Sequence, residues 1–223
     1  MPFEASPAAP HLLLEQDLVA EYGMARIAGV DEAGRGALAG PVFAAAVVLP
    51  VGDALLLERL AGVRDSKQLT PAARERLFPV ICERALAYAI GFSTARSIDQ
   101  LGILPATFQA MADAIAALSP PAEALLIDGP IRLATVGIPQ QAVIRGDQHS
   151  LSIAAASVLA KVSRDRYMTA LGTRFPDYGF ARHKGYGTIQ HRRALDRLGP
   201  CVEHRLTFSP VSQSTWVNTD QTD

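Results

Sequence analysis

The sequence predicts an α/β fold, a sheet carrying helices on its faces, with a smaller lobe toward the C-terminal end. Three observations predict it. Runs with strand composition fall at Arg26–Glu32, Val42–Leu49 and Ala87–Thr94. Two short apolar runs, Ala124–Ile127 and Gln141–Ile144, each lead to an acid, Asp128 and Asp147, and ligands of open α/β sheets gather at such strand ends. Ser150 to about Arg174 then reads as one long helix whose first half, Ile153-Ala154-Ala155-Ala156, is small and apolar and suited to lying close against a sheet.

The elements follow in order. Residues 1–23 form a peripheral N-terminal segment with one amphipathic helix around Leu12 to Tyr22. Residues 24–174 form the core. Within it, Thr70 before Pro71 makes an N-cap and first-turn pair that opens a helix-rich stretch to Leu86. A second helix is expected over Pro105–Leu118, stopped by Ser119-Pro120-Pro121. Residues 175–209 mix glycine, aromatic and basic side chains around a helix at Ile189–Leu198 and read as a C-terminal lobe. Residues 210–223, rich in Ser, Thr, Gln and Asn, read as a disordered tail despite Trp216.

Composition narrows the class. A chain of 223 residues, 49% of them hydrophobic, supports one sizeable core. No apolar run is long enough for a membrane span, and Pro2 to Leu14 lacks the basic start and apolar core of a secretory signal. Cys82 and Cys201 alone make no disulfide framework and fit a reducing cytoplasm. The protein is therefore expected to be soluble, cytoplasmic and monomeric.

The chemistry starts where the first strand ends. Asp31 and Glu32 are adjacent, and neighbours on a strand point to opposite faces, so at least one is held inside. A buried carboxylate without a partner takes up a proton, and a divalent cation is the natural compensation. Gly34, Gly36 and Gly40 follow, clearing side chains from backbone N–H groups that can meet a phosphate or sugar, and Arg35 adds a charge suited to phosphate. The stretch Gly34 to Ala39 also matches G-x-G-x-x-A, the dinucleotide fingerprint. That motif requires a helix at the glycines, whereas Pro41 and the β-branched run after it predict a strand.

The blocks Gly29-Val30-Asp31-Glu32-Ala33-Gly34-Arg35-Gly36, Asp65-Ser66-Lys67-Gln68-Leu69-Thr70, Leu126-Ile127-Asp128-Gly129 and Gly146-Asp147 occur in this order, followed by the helix from Ser150 to Asp165 and by Tyr178 to Thr188. Together they resemble bacterial type 2 ribonuclease H (ribonuclease HII) across residues 27 to 208. The resemblance implies a ribonuclease H-like mixed sheet flanked by helices. It implies catalysis and Mg²⁺ or Mn²⁺ binding by Asp31, Glu32, Asp128 and Asp147, acids that repel by about 4 kcal/mol per pair at about 4 Å and whose oxygen-only donor set favours such ions over zinc.

The same resemblance implies two-metal phosphodiester hydrolysis of RNA/DNA hybrids, and cleavage at the 5′ side of single ribonucleotides in duplex DNA, a step of ribonucleotide excision in DNA repair and replication. Gly34, Arg35, Gly36 and Tyr186 would read the 2′-OH, and Lys67 and Lys184 would contact phosphate. Departures from the family pattern stand at Ala37, Gly102, Arg145, Gln148 and His149, none of them an expected metal ligand. Between Lys161 and Arg205 the chain carries ten basic against four acidic side chains, a balance expected to face a duplex. His149, His183, His191 and His204 lack zinc-ligand spacing.

Overall fold

The computed structural model of the protein describes residues 10–213. Trp216 and most of the expected C-terminal tail lie outside the described residues. The chain runs α1 (Leu13–Tyr22), β1 (Ile27–Ala33), β2 (Val42–Val48), α2 (Leu56–Arg59), α3 (Pro71–Arg84), β3 (Ala87–Ser93), α4 (Ala95–Leu101) and α5 (Ile103–Ala116). It continues with β4 (Ala124–Asp128), β5 (Gln140–Val143), α6 (Leu151–Arg174), α7 (Phe180–His183) and α8 (Ile189–Leu198).

The sheet is mixed, with strand order β3-β2-β1-β4-β5. β1, β2 and β3 form an antiparallel meander, while β4 and β5 add in parallel beside β1. β1 is thus central, and β2 is buried at every position, which explains its unbroken apolar sequence. Strand alternation then sorts the core: Ala45 and Val47 pack with α3 and α6 on one face, and Ala44, Ala46 and Val48 pack with α4 and α5 on the other.

α6 decides how close the layers come. Ser150 caps it by accepting the Ile153 N–H at 3.1 Å, and Ile153 through Ala156 are fully buried. A Cβ on Gly29 of β1 would fall 2.1 Å from the Ser152 carbonyl carbon, so backbone meets backbone there and only glycine fits. α1 is tied to the same helix end: the fully buried Glu15 accepts from the Ser150 and Ser152 hydroxyls, each at 2.6 Å, and from the Ser152 N–H at 3.0 Å. The segment read as peripheral therefore supplies a buried anchor.

Other differences have local causes. α4 is not announced by the sequence: Thr94, expected to end a strand, instead caps this helix by accepting the Ser97 N–H at 3.1 Å. α5 starts at Ile103, ahead of Pro105, because a proline in a first turn lacks only an N–H with no helical acceptor. The residues after Pro41 form β2, so the dinucleotide motif lacks its helix. Val211, inside the segment expected to be a disordered tail, is buried beside Leu38 and Leu195. No helix among the described residues is long and apolar enough to cross a membrane.

Candidate active site

The four acids converge from three segments, β1, β4 and the turn before α6, at one end of the central strands. Asp31 lies on β1 and is 3% exposed. It accepts the Glu32 N–H at 2.7 Å. Glu32 is half-buried and takes a salt bridge from Arg35 at 3.1 Å. Asp128 ends β4 and accepts the Gly146 N–H at 2.7 Å, which joins it to the turn carrying Asp147. Asp147 is buried, in a short turn between β5 and α6 rather than at a strand end.

Electrostatics show that these acids sense one another. Burial, then Glu32 and Asp128, hold the Asp31 carboxyl well above the usual range, against hydrogen bonds from the Glu32 N–H and Ser157. Glu32 is raised chiefly by burial, with Arg35 pulling it back and Asp128 pushing it up. Burial, Asp128 and Asp65 raise Asp147 to about 6. Asp65 is a fifth member that motif reading left outside the site. It is buried and caps the turn of Lys67 by accepting that residue's N–H at 2.9 Å. The Lys67 ammonium stands 4.0 Å from Asp147. Burial alone would lower it, and Asp31, Asp65, Asp147 and Asp128 together outweigh burial and raise it.

Among the described residues, no group of three or more His, Cys, Asp or Glu side chains is drawn close enough to hold a metal ion as it stands. The donor set nevertheless fits a hard divalent cation. It is all oxygen, and its mutual repulsion is what a cation relieves.

Next to the acids, β1 runs into a tight turn in which the Ala37 N–H returns to the Gly34 carbonyl at 3.3 Å. Arg35 and Gly36 at its tip are exposed, and their backbone N–H groups have no partner among the described residues. The two glycines differ in kind. Gly34 has φ +99°, and a Cβ there would meet Arg164 Nε at 1.9 Å, whereas a Cβ on Gly36 would meet nothing within 4 Å. Internal packing requires the first and leaves room for a side chain at the second.

The Tyr186 loop is bound to this turn. The Gly185 carbonyl accepts from Leu38 at 2.8 Å and Ala39 at 3.3 Å. The half-buried Tyr186 ring has Arg164 at 5.2 Å and Lys161 at 5.3 Å from its centroid, the separation of cation–π contacts. Behind it sits a histidine cluster that sequence spacing did not reveal. The Cys201 N–H donates to His204 Nδ1 at 2.9 Å, so the His204 proton is on Nε2 and donates to His191 Nε2 at 3.0 Å. His191 therefore carries its proton on Nδ1 and donates to the Tyr186 carbonyl at 3.0 Å. Burial is the main cause that lowers both imidazoles to about 4, so both are neutral and the chain of donors runs one way.

Beyond Tyr186 opens a groove of about 710 Å³ between α3, α6 and the C-terminal lobe. Arg74, Lys161, Arg166, Arg182 and Lys184 line it against Glu75 and Asp165. The Lys184 ammonium donates to Ala181 O and Thr169 Oγ1 and keeps a third donor. The basic excess of this region is smaller at the surface than the sequence count implied. Arg164 and Arg205 are fully buried and donate to backbone carbonyls, so neither is free to meet a phosphate.

A mixed sheet with carboxylates clustered beside its central strand defines a hydrolase of the ribonuclease H-like fold. The solved ribonuclease H2 from Pyrococcus horikoshii superimposes with TM-score 0.69 at 27% identity, over 84% of this chain and 96% of that one. The chain belongs to the ribonuclease HII family, whose profile matches residues 28–211. The ribonuclease HII of Syntrophotalea carbinolica is 52% identical, covering 95% of this chain and 97% of the relative. That of Chloroflexus aurantiacus is 53% identical over 92% and 96%. The protein is accordingly a divalent-metal-dependent ribonuclease H acting on RNA/DNA hybrids.

Proposed function

We propose that this enzyme also cleaves duplex DNA at the 5′ side of a single embedded ribonucleotide, leaving a 3′-hydroxyl and a 5′-phosphate. The observation that carries this reading is the turn beside Glu32, where two exposed backbone N–H groups, of Arg35 and Gly36, have no internal partner. Donors in that position suit a 2′-OH, the group that distinguishes RNA from DNA. The Tyr186 ring, in contact with Lys161 and Arg164 of α6, supplies a flat wall for the same sugar. Asp31, Glu32, Asp128 and Asp147 are the proposed catalytic and metal-holding groups.

Mg²⁺ or Mn²⁺ held by those four acids would supply an activated water and stabilise the departing 3′ oxygen in a two-metal hydrolysis. The protein's own part is positional. Hydrogen bonds from the Glu32 and Gly146 N–H groups orient Asp31 and Asp128, and Arg35 steers Glu32. Lys67, exposed at the rim of the acids, and Lys184 and Arg182 in the groove would contact backbone phosphates, and a monomer would act on one duplex. The core of residues 24–174 carries the chemistry and the lobe of residues 175–209 helps hold substrate.

The deciding experiment uses end-labelled duplex DNA containing one ribonucleotide, with its all-DNA counterpart, in Mg²⁺, Mn²⁺ or EDTA. One cut 5′ to the ribonucleotide, dependent on the divalent ion and absent from the all-DNA duplex, is expected. A cut on the 3′ side, or cleavage that survives EDTA, would refute the reading.

A further inference from the structure

Arg205 is fully buried, and no carboxylate is paired with it among the described residues. Its guanidinium donates instead to three carbonyls of the glycine turn: Nη2 to Gly34 O at 2.8 Å, Nη1 to Arg35 O at 2.7 Å and Nε to Gly40 O at 3.0 Å. Phe208 stacks over it, with Cζ 5.0 Å from the ring centroid. A buried cation without a counter-charge is a poor device for stability alone. Burial, with Arg164 beside it, pulls Arg205 down to about 9, which still leaves it charged at neutral pH.

The peptide geometry shows what the arrangement achieves. In a trans peptide the carbonyl of one residue and the N–H of the next point in opposite directions, and no cis bond occurs in this turn. Because Arg205 draws the carbonyls of Gly34 and Arg35 inward, the N–H groups of Arg35 and Gly36 are turned outward, where they have no partner among the described residues. Arg164 anchors the far end of the same loop, donating to Ala39 O at 3.1 Å and Pro41 O at 3.0 Å. It also donates to Lys184 O at 3.0 Å, two residues before Tyr186. A planar fork of fixed donors is required to serve carbonyls in this way. A lysine offers one nitrogen and no fork.

We infer that Arg205 is a positioning residue for substrate recognition: from inside the protein it sets the two peptide planes whose N–H groups meet the ribose, without touching substrate itself. The inference rests on the proposed reading of the 2′-OH by this turn and adds the buried group that makes it possible. Arg205 belongs to the basic segment expected to face phosphate, and the structure assigns it a different task.

The test compares wild type with Arg205→Lys and Arg205→Gln. Single-ribonucleotide cleavage, affinity for the same duplex made wholly of DNA, and thermal stability are measured on each. Misplacing two donors is expected to lower kcat/KM about thirtyfold or more, mainly through kcat, within the hundredfold scale of a misplaced reacting group. Affinity for the all-DNA duplex, which has no 2′-OH to read, should stay within about twofold on the same argument, and both variants should melt as folded proteins. Near-normal kcat in both variants would overturn the inference. So would a loss of DNA affinity in proportion to activity, or failure of both to fold, since Arg205 would then serve general binding or the fold. Wild-type protein that cuts the all-DNA duplex equally well would remove the sugar reading itself, a result distinguishable from any of these.

Discussion

In the carboxylate cluster, burial and mutual repulsion hold Asp31 and Asp147 above the ordinary carboxylate range, and Lys67 is drawn toward four acids. A few residues away, the glycine turn and the Tyr186 loop bury two guanidiniums and three imidazoles, and hydrogen bonds engage each of them. One region keeps charge that its own side chains do not neutralise. The other spends polar groups on fixing backbone. Repulsion poises the first to take up cations, while the hydrogen bonds of its buried groups hold the second still so that a sugar meets donors already in place.

The largest expected effect breaks the first region. Asp31→Asn should reduce turnover by about a thousandfold, the scale on which a group acting directly on the reacting centre contributes. Metal-free stability should hold or rise, because one repelling charge is gone. Single-turnover cleavage together with melting in EDTA checks both halves, and turnover within tenfold of wild type would remove Asp31 from the site.

Tyr186→Ala tests the second region from its exposed side. It should lower single-ribonucleotide cleavage by about a hundredfold, as expected for a misplaced reacting group, with a small change in duplex affinity. Should the variant melt many degrees lower while retaining its turnover, Tyr186 packs the lobe and the ribose is held elsewhere.

The two turn glycines sharpen the contrast within one loop. Gly34→Ala places a Cβ against Arg164 at a positive φ and should cost about 2 kcal/mol or more, lowering Tm by roughly 4–8 °C for a chain of this size. Gly36→Ala meets nothing inside the protein, so its Tm should match wild type while cleavage falls about tenfold through obstruction of the outward N–H groups, a milder case of misplacement. Equal melting losses in the two variants would erase the distinction.

The smallest effect concerns acid. An unfolded histidine takes up its proton near pH 6.5, whereas His191 and His204 resist until about 4. The unfolded state therefore binds more protons between those values, and the stability these residues contribute is complete above pH 6.5 and drains as pH falls toward 4. Melting from pH 7.5 to 4.5 should show this decline, and His191→Phe with His204→Leu should flatten part of it. A profile unchanged by the double substitution would assign the acid sensitivity to other groups.

The sequence by itself determined the elements whose causes are local. Thr70-Pro71 announces α3, the unbroken apolar run after Pro41 announces β2, and the small residues of α6 announce its close packing, which Gly29 completes. It also brought out Asp31, Glu32, Asp128 and Asp147, because each stands in a recognisable block beside a strand end or turn. Other features were open only to tertiary structure. Asp65 enters the acid cluster through the fold around Lys67, and Glu15 is buried because α1 docks on the start of α6. Spacing could not show that His191 and His204 touch, since α8 and the return of the chain to Ala39 bring them together. Nor does charge count separate a guanidinium that faces a duplex from one that holds a loop. Arginine composition alone predicts a phosphate surface, whereas the carbonyls surrounding Arg205 come from residues 34, 35 and 40. Contacts across so long a stretch of chain arise only when the sheet and lobe close together, and only then does the direction of each donor become defined.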